Sequence, residues 1–277
     1  MGSTFLVVRG VTFDLDDTLW CGKTVIRNAT AAFHSYLERE VPQLAKKFPP
    51  AAFDALLVQF QRTLPDQAHD YTFLRKYTLR HCLHACGAQT LCLQNQTQLE
   101  AFIDSAFQAF LVPRSQPELF DGVENLFQGL KSEIRRSSDI DDTTFPILGV
   151  ITNGNCDMEK LPKYFHHHVD FMISAELVGC AKPEQAIFDA AVNKFPASYQ
   201  RQHLVHVGDH YECDVKGAKR AGFRTIWVNV TWTKPDVLTR ADFSEDDAER
   251  YPAADAIVKN VNTVLIVVEH WNSLAKN

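Results

Sequence analysis

Residues 11–20 read VTFDLDDTLW: an apolar run of strand length that stops at three carboxylates, Asp14, Asp16 and Asp17, and one hydroxyl, Thr18. Asp and Thr also begin turns and cap helices, but that chemistry needs only one such residue. Three carboxylates packed at the end of a buried strand repel one another unless a cation is present. The carboxyl ends of strands are where open α/β sheets hold their sites, so this stretch is both the first core strand and a candidate metal or catalytic centre.

Other runs of the same kind follow at 147–152, 171–174, 204–207 and 225–230. They are continuously apolar, as in strands buried on both faces of a parallel sheet, and predict a Rossmann-like, doubly wound α/β core. The interval between the first two runs is too long for a single crossover, and its periodicity is helical. Phe53, Leu56, Leu57 and Phe60 follow an i, i+3, i+4, i+7 pattern, as do Leu79, Cys82, Leu83 and Cys86; Leu99, Phe102, Ile103, Ala106 and Phe110 continue it. The sequence therefore predicts an all-helical domain at 21–116 inserted into a core of 1–20 and 117–277. The polar run at 135–144, RRSSDIDDTT, reads as a solvated loop.

Composition narrows the function. The chain has 277 residues, 45% apolar and 22% charged, enough for a full core and a subsidiary domain. A net charge of -6 provides no broad basic field, so nucleic acid and anionic membrane are not expected partners. The apolar run at 264–268 is far short of the ~20 residues that span a bilayer. MGSTFLVVRG at the amino end is too short for a secretory signal, and seven scattered cysteines suit reduced thiols, so a cytoplasmic location is expected.

Further chemistry-bearing residues stand at the ends of other strands. Asp209, in GDHYECD at 208–214, ends the run at 204–207 as Asp14 ends the first; two such ends side by side would supply the oxygen ligands that Mg²⁺ prefers. Asp214 reads equally as a helix cap. Lys182 precedes Pro183 in GCAKPEQAIF, where Pro183 suits the first position of a helix. A cation at a helix amino terminus matches the dipole poorly, which favours a phosphate-facing role for Lys182. Thr152, followed by Asn153 and Gly154, would alone be an ordinary strand-to-turn threonine.

Together these four stations resemble the haloacid dehalogenase-like hydrolase superfamily. Its first motif, DxDxT, is met by Asp14, Asp16 and Thr18; its second by Thr152; its third by Lys182; and its fourth, GDxxxxD, by Gly208, Asp209 and Asp214. A helical cap inserted straight after the first motif corresponds to the type 1 arrangement. The resemblance implies that Asp14 is the nucleophile, forming a phospho-aspartyl intermediate, and that Asp16 is the general acid and base. It implies Mg²⁺ held by Asp14, the Asp16 carbonyl and Asp209. It implies phosphate binding by Thr152, Asn153 and Lys182, and support from Thr18 and Asp214. Members that cleave carbon–halogen bonds lack a carboxylate at the Asp16 position, since halide leaves without a proton, and Leu15 is not the lysine of the related ion pumps. The segments FDLDDTLW, ITNGN, SAELVGCAKP and HVGD are most similar to the branch acting on flavin mononucleotide and a phosphorylated pyrimidine intermediate.

The expectation is a Mg²⁺-dependent phosphomonoesterase of small metabolites such as flavin mononucleotide, nucleotides or sugar phosphates. Its rivals are a phosphomutase using the same nucleophile and a non-catalytic binding protein that keeps the fold. Trp20, Lys23 and Arg75 are candidates for the substrate mouth, although surface exposure without function is the simpler reading of Arg75. HCLHAC at 81–86 lacks zinc-finger spacing and places Cys82 and Cys86 on an apolar helical stripe, so packing explains it better than metal. Three successive histidines, 166–168, cannot all face one ion from an extended segment and read as a solvated turn.

Overall fold

β-Branched and apolar residues at 10–13, 148–152, 204–208 and 224–228 form strands whose residues are almost all buried, because a parallel sheet is covered on both faces. The computed structural model describes residues 6–87, 95–138 and 145–276. The strands are β1 (Gly10–Phe13), β2 (Leu148–Thr152), β3 (Phe171–Ser174), β4 (Leu204–Gly208), β5 (Arg224–Val228), β6 (Val237–Thr239) and β7 (Ala256–Val258). They form one sheet in the order β3-β2-β1-β4-β5-β7-β6, parallel except for β6, which runs antiparallel to β7. β1 is central: Val11 pairs with Leu148 on one side and Val205 on the other. The chain passes from β1 to β2 and β3 on one side and then crosses to β4 on the other, so the carboxyl end of β1 lies at a topological switch point.

The chain divides into two units. The first comprises 1–21, 118–153 and 163–277; the second comprises 22–117 and 154–162. Residues 154–162, counted with the core on sequence, thus group with the helices. Asn155 Nδ2 donates to Thr72 Oγ1 at 3.4 Å and the Asp157 N–H donates to Ser115 Oγ at 2.8 Å.

In the second unit lie α1 (Gly22–Glu40), α2 (Pro42–Lys47), α3 (Pro50–Thr63), α4 (Tyr71–Cys86) and α5 (Gln96–Arg114). Asp70 and Asn95 cap α4 and α5 by accepting from backbone N–H groups three residues on. The periodic residues meet as expected: Phe53, Leu79, Cys82, Leu83, Ile103, Ala106 and Phe110 are buried together with Ala29, Phe33 and Leu37 of α1. The HCLHAC stretch belongs to this packing, Cys82 being fully buried and the His81 ring lying against Phe60.

Helices of the first unit are α6 (Val123–Ser138), α7 (Lys163–His168), α8 (Ala175–Val178), α9 (Gln185–Val192), α10 (Gly217–Arg220), α11 (Glu245–Arg250) and α12 (Val264–Ala275). Three expectations need correction. Residues 135–138 of the supposed loop are the last turn of α6, while 139–144 lie outside the described residues. His166, His167 and His168 are helical, in α7. Pro183 does not open a helix: Glu184 keeps an extended ψ of 139° and α9 starts at Gln185. The six cysteines among the described residues form no disulfide. No helix among the described residues is long and apolar enough to cross a membrane.

Phe33 anchors the helical core, with its ring 5.1 Å from Phe53 and fully buried. Phe33→Ala is expected to destabilise the protein by about 3–5 kcal/mol, since lost transfer energy and a residual cavity add. Urea unfolding followed by helical circular dichroism measures this; an unchanged midpoint would remove Phe33 from the core.

Candidate active site

Two carboxylates and a backbone carbonyl, from three adjacent strands and the turns that follow them, converge on Lys182. Its Nζ lies 2.6 Å from Asp14 Oδ1, just beyond β1, and 2.6 Å from the Ile151 carbonyl of β2. It lies 2.7 Å from Asp214 Oδ1, in the turn after β4. An ammonium has three N–H donors, and these are three acceptors. Lys182 is 3% exposed, so this satisfaction is what makes its burial tolerable. Burial would push its pKa down, but Asp14 and Asp214 outweigh that and hold it above the usual lysine range.

Each member is held in turn. Asn153 grips the Lys182 main chain, its Oδ1 accepting from the Lys182 N–H at 2.7 Å and its Nδ2 donating to the Lys182 carbonyl at 3.1 Å. The Asn153 carboxamide, expected on phosphate, is therefore engaged in placing the lysine. The Asp214 Oδ2 accepts the His210 N–H at 2.9 Å, and its Oδ1 lies 3.3 Å from Nε2 of His206. Burial pushes the His206 pKa down, which keeps the ring neutral. A carboxylate only accepts, so His206 donates from Nε2 and its Nδ1 faces the Thr12 hydroxyl at 2.9 Å. Burial opposes ionisation of Asp214, yet the Lys182 charge and these donors hold its pKa below the usual carboxylate range. Asp214 thus does both things the sequence allowed: it accepts the N–H of the residue that opens its helical turn, and it braces the lysine.

Oxygen atoms of Asp14, Asp209 and Asp214 lie within 4.8 Å of one another, and no other such group of possible metal ligands occurs among the described residues. Burial pushes the Asp14 carboxyl up to about 8 despite Lys182. Burial, with the Asp214 and Asp17 charges, pushes Asp209 up to about 6. Ionised together, these three carboxyls would exceed the one ammonium by two charges, a repulsion that a divalent cation relieves. An all-oxygen donor set with that surplus fits Mg²⁺. Thr18 Oγ1 donates to Asp209 Oδ1 at 3.3 Å, and the Trp227 indole donates to the Asp209 carbonyl at 2.7 Å. Nothing in the sequence signals the Trp227 contact: it depends on the pairing of Gly208 in β4 with Trp227 in β5.

The loop after β1 is tightly wound. The Leu19 N–H donates to the Leu15 carbonyl at 2.8 Å, the Asp17 N–H donates to the Trp20 carbonyl at 2.8 Å, and Asp17 takes a φ of 61°. Asp is one of the few residues other than Gly that tolerate that left-handed region. Asp16 is half-buried and its Oδ1 accepts from the Trp20 indole at 2.8 Å. Trp20 is 0% exposed, which corrects its expected place at a substrate mouth: an indole this apolar is spent on packing and on Asp16. Arg75 is also buried, contrary to the reading of surface exposure; its guanidinium lies 3.8 Å from the Phe110 ring centroid, and burial pushes its pKa down to about 10. Lys23 is exposed on α1. Thr152 is buried at the end of β2.

Residues 8–222 match the family described as haloacid dehalogenase-like hydrolase. The chain belongs to this family. It is 25% identical over 223 residues to 5-amino-6-(5-phospho-D-ribitylamino)uracil phosphatase YigB of Escherichia coli, covering 80% of this chain and 83% of that protein. It is 35% identical over 89 residues to pyrimidine 5'-nucleotidase YjjG of Escherichia coli, covering 30% of this chain and only 37% of that one. A solved structure called 2-haloacid dehalogenase from Pseudomonas syringae pv. Tomato is similar with a TM-score of 0.73 at 30% identity, covering 96% of this chain and all of that one. The curated relatives support a phosphatase within this haloacid dehalogenase-like family.

Gly208 in the fourth motif answers a steric need. A Cβ there would stand 2.4 Å from the Asp214 carboxyl carbon and 2.5 Å from Oδ2. Gly208→Ala is expected to force Asp214 off Lys182, lowering stability by about 1–3 kcal/mol and hydrolytic activity with it. Thermal unfolding alongside a phosphatase assay reads both effects; a variant matching wild type in both would show that the turn yields freely.

Proposed function

We propose that the chain is a Mg²⁺-dependent phosphomonoester hydrolase of small metabolites, with Asp14 as nucleophile and the helical insertion in the role of cap. The observation that carries this reading is Asp14 itself, a carboxylate at the switch point with Oδ1 2.6 Å from Lys182 Nζ and two further carboxylates beside it.

In the first displacement an Asp14 oxygen bonds to phosphorus while the bond from phosphorus to the ester oxygen breaks. That oxygen leaves with the electron pair and takes a proton from Asp16. In the second, water bonds to phosphorus as Asp16 takes its proton back, and the bond from Asp14 to phosphorus breaks to release inorganic phosphate. Lys182 keeps Asp14 in place and, with Thr152, stabilises charge on the phosphoryl oxygens. Asp14, Asp209 and the Asp16 carbonyl would hold Mg²⁺, which would supply neutralisation of negative charge at the nucleophile and the phosphate. Asp214 supports this set through Lys182.

The names of YigB and YjjG support a phosphorylated compound carrying a pyrimidine-type ring, for which flavin mononucleotide is the leading example. A 2-haloacid dehalogenase is the second reading, favoured by the likeness to the Pseudomonas structure over nearly the whole chain. Asp16 argues against it: halide leaves without a proton, whereas an ester oxygen needs one.

Release of phosphate from p-nitrophenyl phosphate and flavin mononucleotide, and of chloride from 2-chloropropionate, separates these readings. Wild-type protein is expected to release phosphate only with Mg²⁺, to stop on addition of EDTA, and to release no chloride. Asp14→Asn, checked for folding by circular dichroism, should lower phosphate release by about 10³-fold or more. Chloride release without phosphate release would establish the dehalogenase reading instead.

A further inference from the structure

An indole N–H donates and never accepts. The Trp20 indole is 0% exposed, and its donation to Asp16 Oδ1 is 2.8 Å long. The ring is anchored twice. Its centroid lies 6.2 Å from that of the Phe165 ring, tilted by 58°, and its backbone bridges both Asp16 and Leu119, with the Phe120 N–H donating to the Leu19 carbonyl at 2.9 Å. The N–H therefore stands at a place that the core determines, four residues along from the acid it meets.

We propose that Trp20 is the positioning residue for proton transfer by Asp16: its buried N–H keeps Oδ1 as an acceptor and so puts the transferable proton on Oδ2. This rests on the assignment of Asp16 as general acid and base. A carbonyl oxygen accepts a hydrogen bond better than the hydroxyl oxygen of a neutral acid, so the N–H favours the acid form with its hydrogen on Oδ2. As the ester bond breaks, that hydrogen passes from Oδ2 to the leaving oxygen and Asp16 becomes a carboxylate. When water attacks the phosphoryl group, Oδ2 takes a proton from it and the acid is restored. The indole neither gives nor takes a proton. It selects the oxygen and restrains the carboxyl rotamer, which matters because proton transfer needs hydrogen-bond reach of the reacting oxygen.

The plain alternative is that Asp16 merely satisfies a buried indole. Leaving-group dependence separates the two. p-Nitrophenolate departs with little help from a proton, whereas phenolate needs more. We would measure kcat/KM with Mg²⁺ for p-nitrophenyl phosphate and phenyl phosphate in wild type and Trp20→Phe. A third protein would carry 3-benzothienylalanine at position 20, an isostere with sulfur in place of N–H. The isostere preserves the packing and carries the test should Trp20→Phe fail to fold. Both replacements are expected to lower phenyl phosphate turnover about tenfold and p-nitrophenyl phosphate no more than about twofold, a modest part of what general acid catalysis supplies. Equal falls for the two esters, or no fall in the isostere, would overturn the proposal. Asp16→Asn, assayed in parallel, tests the foundation. If it too leaves the ratio between esters unchanged, the acid assignment itself fails; if it widens the ratio while the isostere does not, only the role of Trp20 is lost.

Discussion

A buried ammonium is costly unless each of its hydrogens finds an acceptor, and the Lys182 site meets that condition with one group from each of three neighbouring places in the sheet. Asp14 comes from the end of β1, the Ile151 carbonyl from β2, and Asp214 from the turn after β4. The strand order β2-β1-β4 is therefore a requirement of the charge arrangement as much as of hydrophobic burial. Removing any partner would leave an unpaired charge in the interior, and the rest of the site is organised to prevent that.

Much of the surrounding polar structure does not face a reactant. Asn153 places the Lys182 backbone, His206 and the His210 N–H brace Asp214, and Gly208 leaves room for the Asp214 carboxylate. Two indoles hold the acidic loops, Trp20 through the Asp16 side chain and Trp227 through the Asp209 backbone. Precision of the groups near the reaction comes from these supports, since a carboxylate on a loop is only as fixed as its neighbours.

The same fold hosts different chemistry, so likeness of fold leaves reaction type open. The Pseudomonas dehalogenase structure and the Escherichia coli phosphatases are both similar to this chain. Under the proposed mechanism the two reactions differ in one need, a proton for the leaving group, which Asp16 would supply. The cluster of Asp14, Asp209 and Asp214 bears on the same question, because three neighbouring carboxylates suit a divalent cation, and only with such a cation in place would they accept an anionic phosphate ester beside them.

The sequence by itself determined the α/β core, the helical insertion and the acid-bearing strand ends, because each is written in local periodicity or in an abrupt change from apolar to acidic residues. The span that matches the family, residues 8–222, contains the same four stations. β6 and β7 escaped, being three residues each and too short to show a period. The end of α6 escaped because RRSS at 135–138 carries no apolar stripe. Tertiary structure alone decided the tasks of Asn153, Trp20 and Arg75, and for Asp214, already expected to lend support, it decided which groups that support reaches. Their partners lie at Lys182, at Asp16, at Phe110 and, for Asp214, at Lys182 and His206. Three of those four depend on contacts far along the chain. Trp20 and Asp16 are only four residues apart, yet the wound turn and its left-handed Asp17 bring them together, and no pattern of residue types announces that geometry.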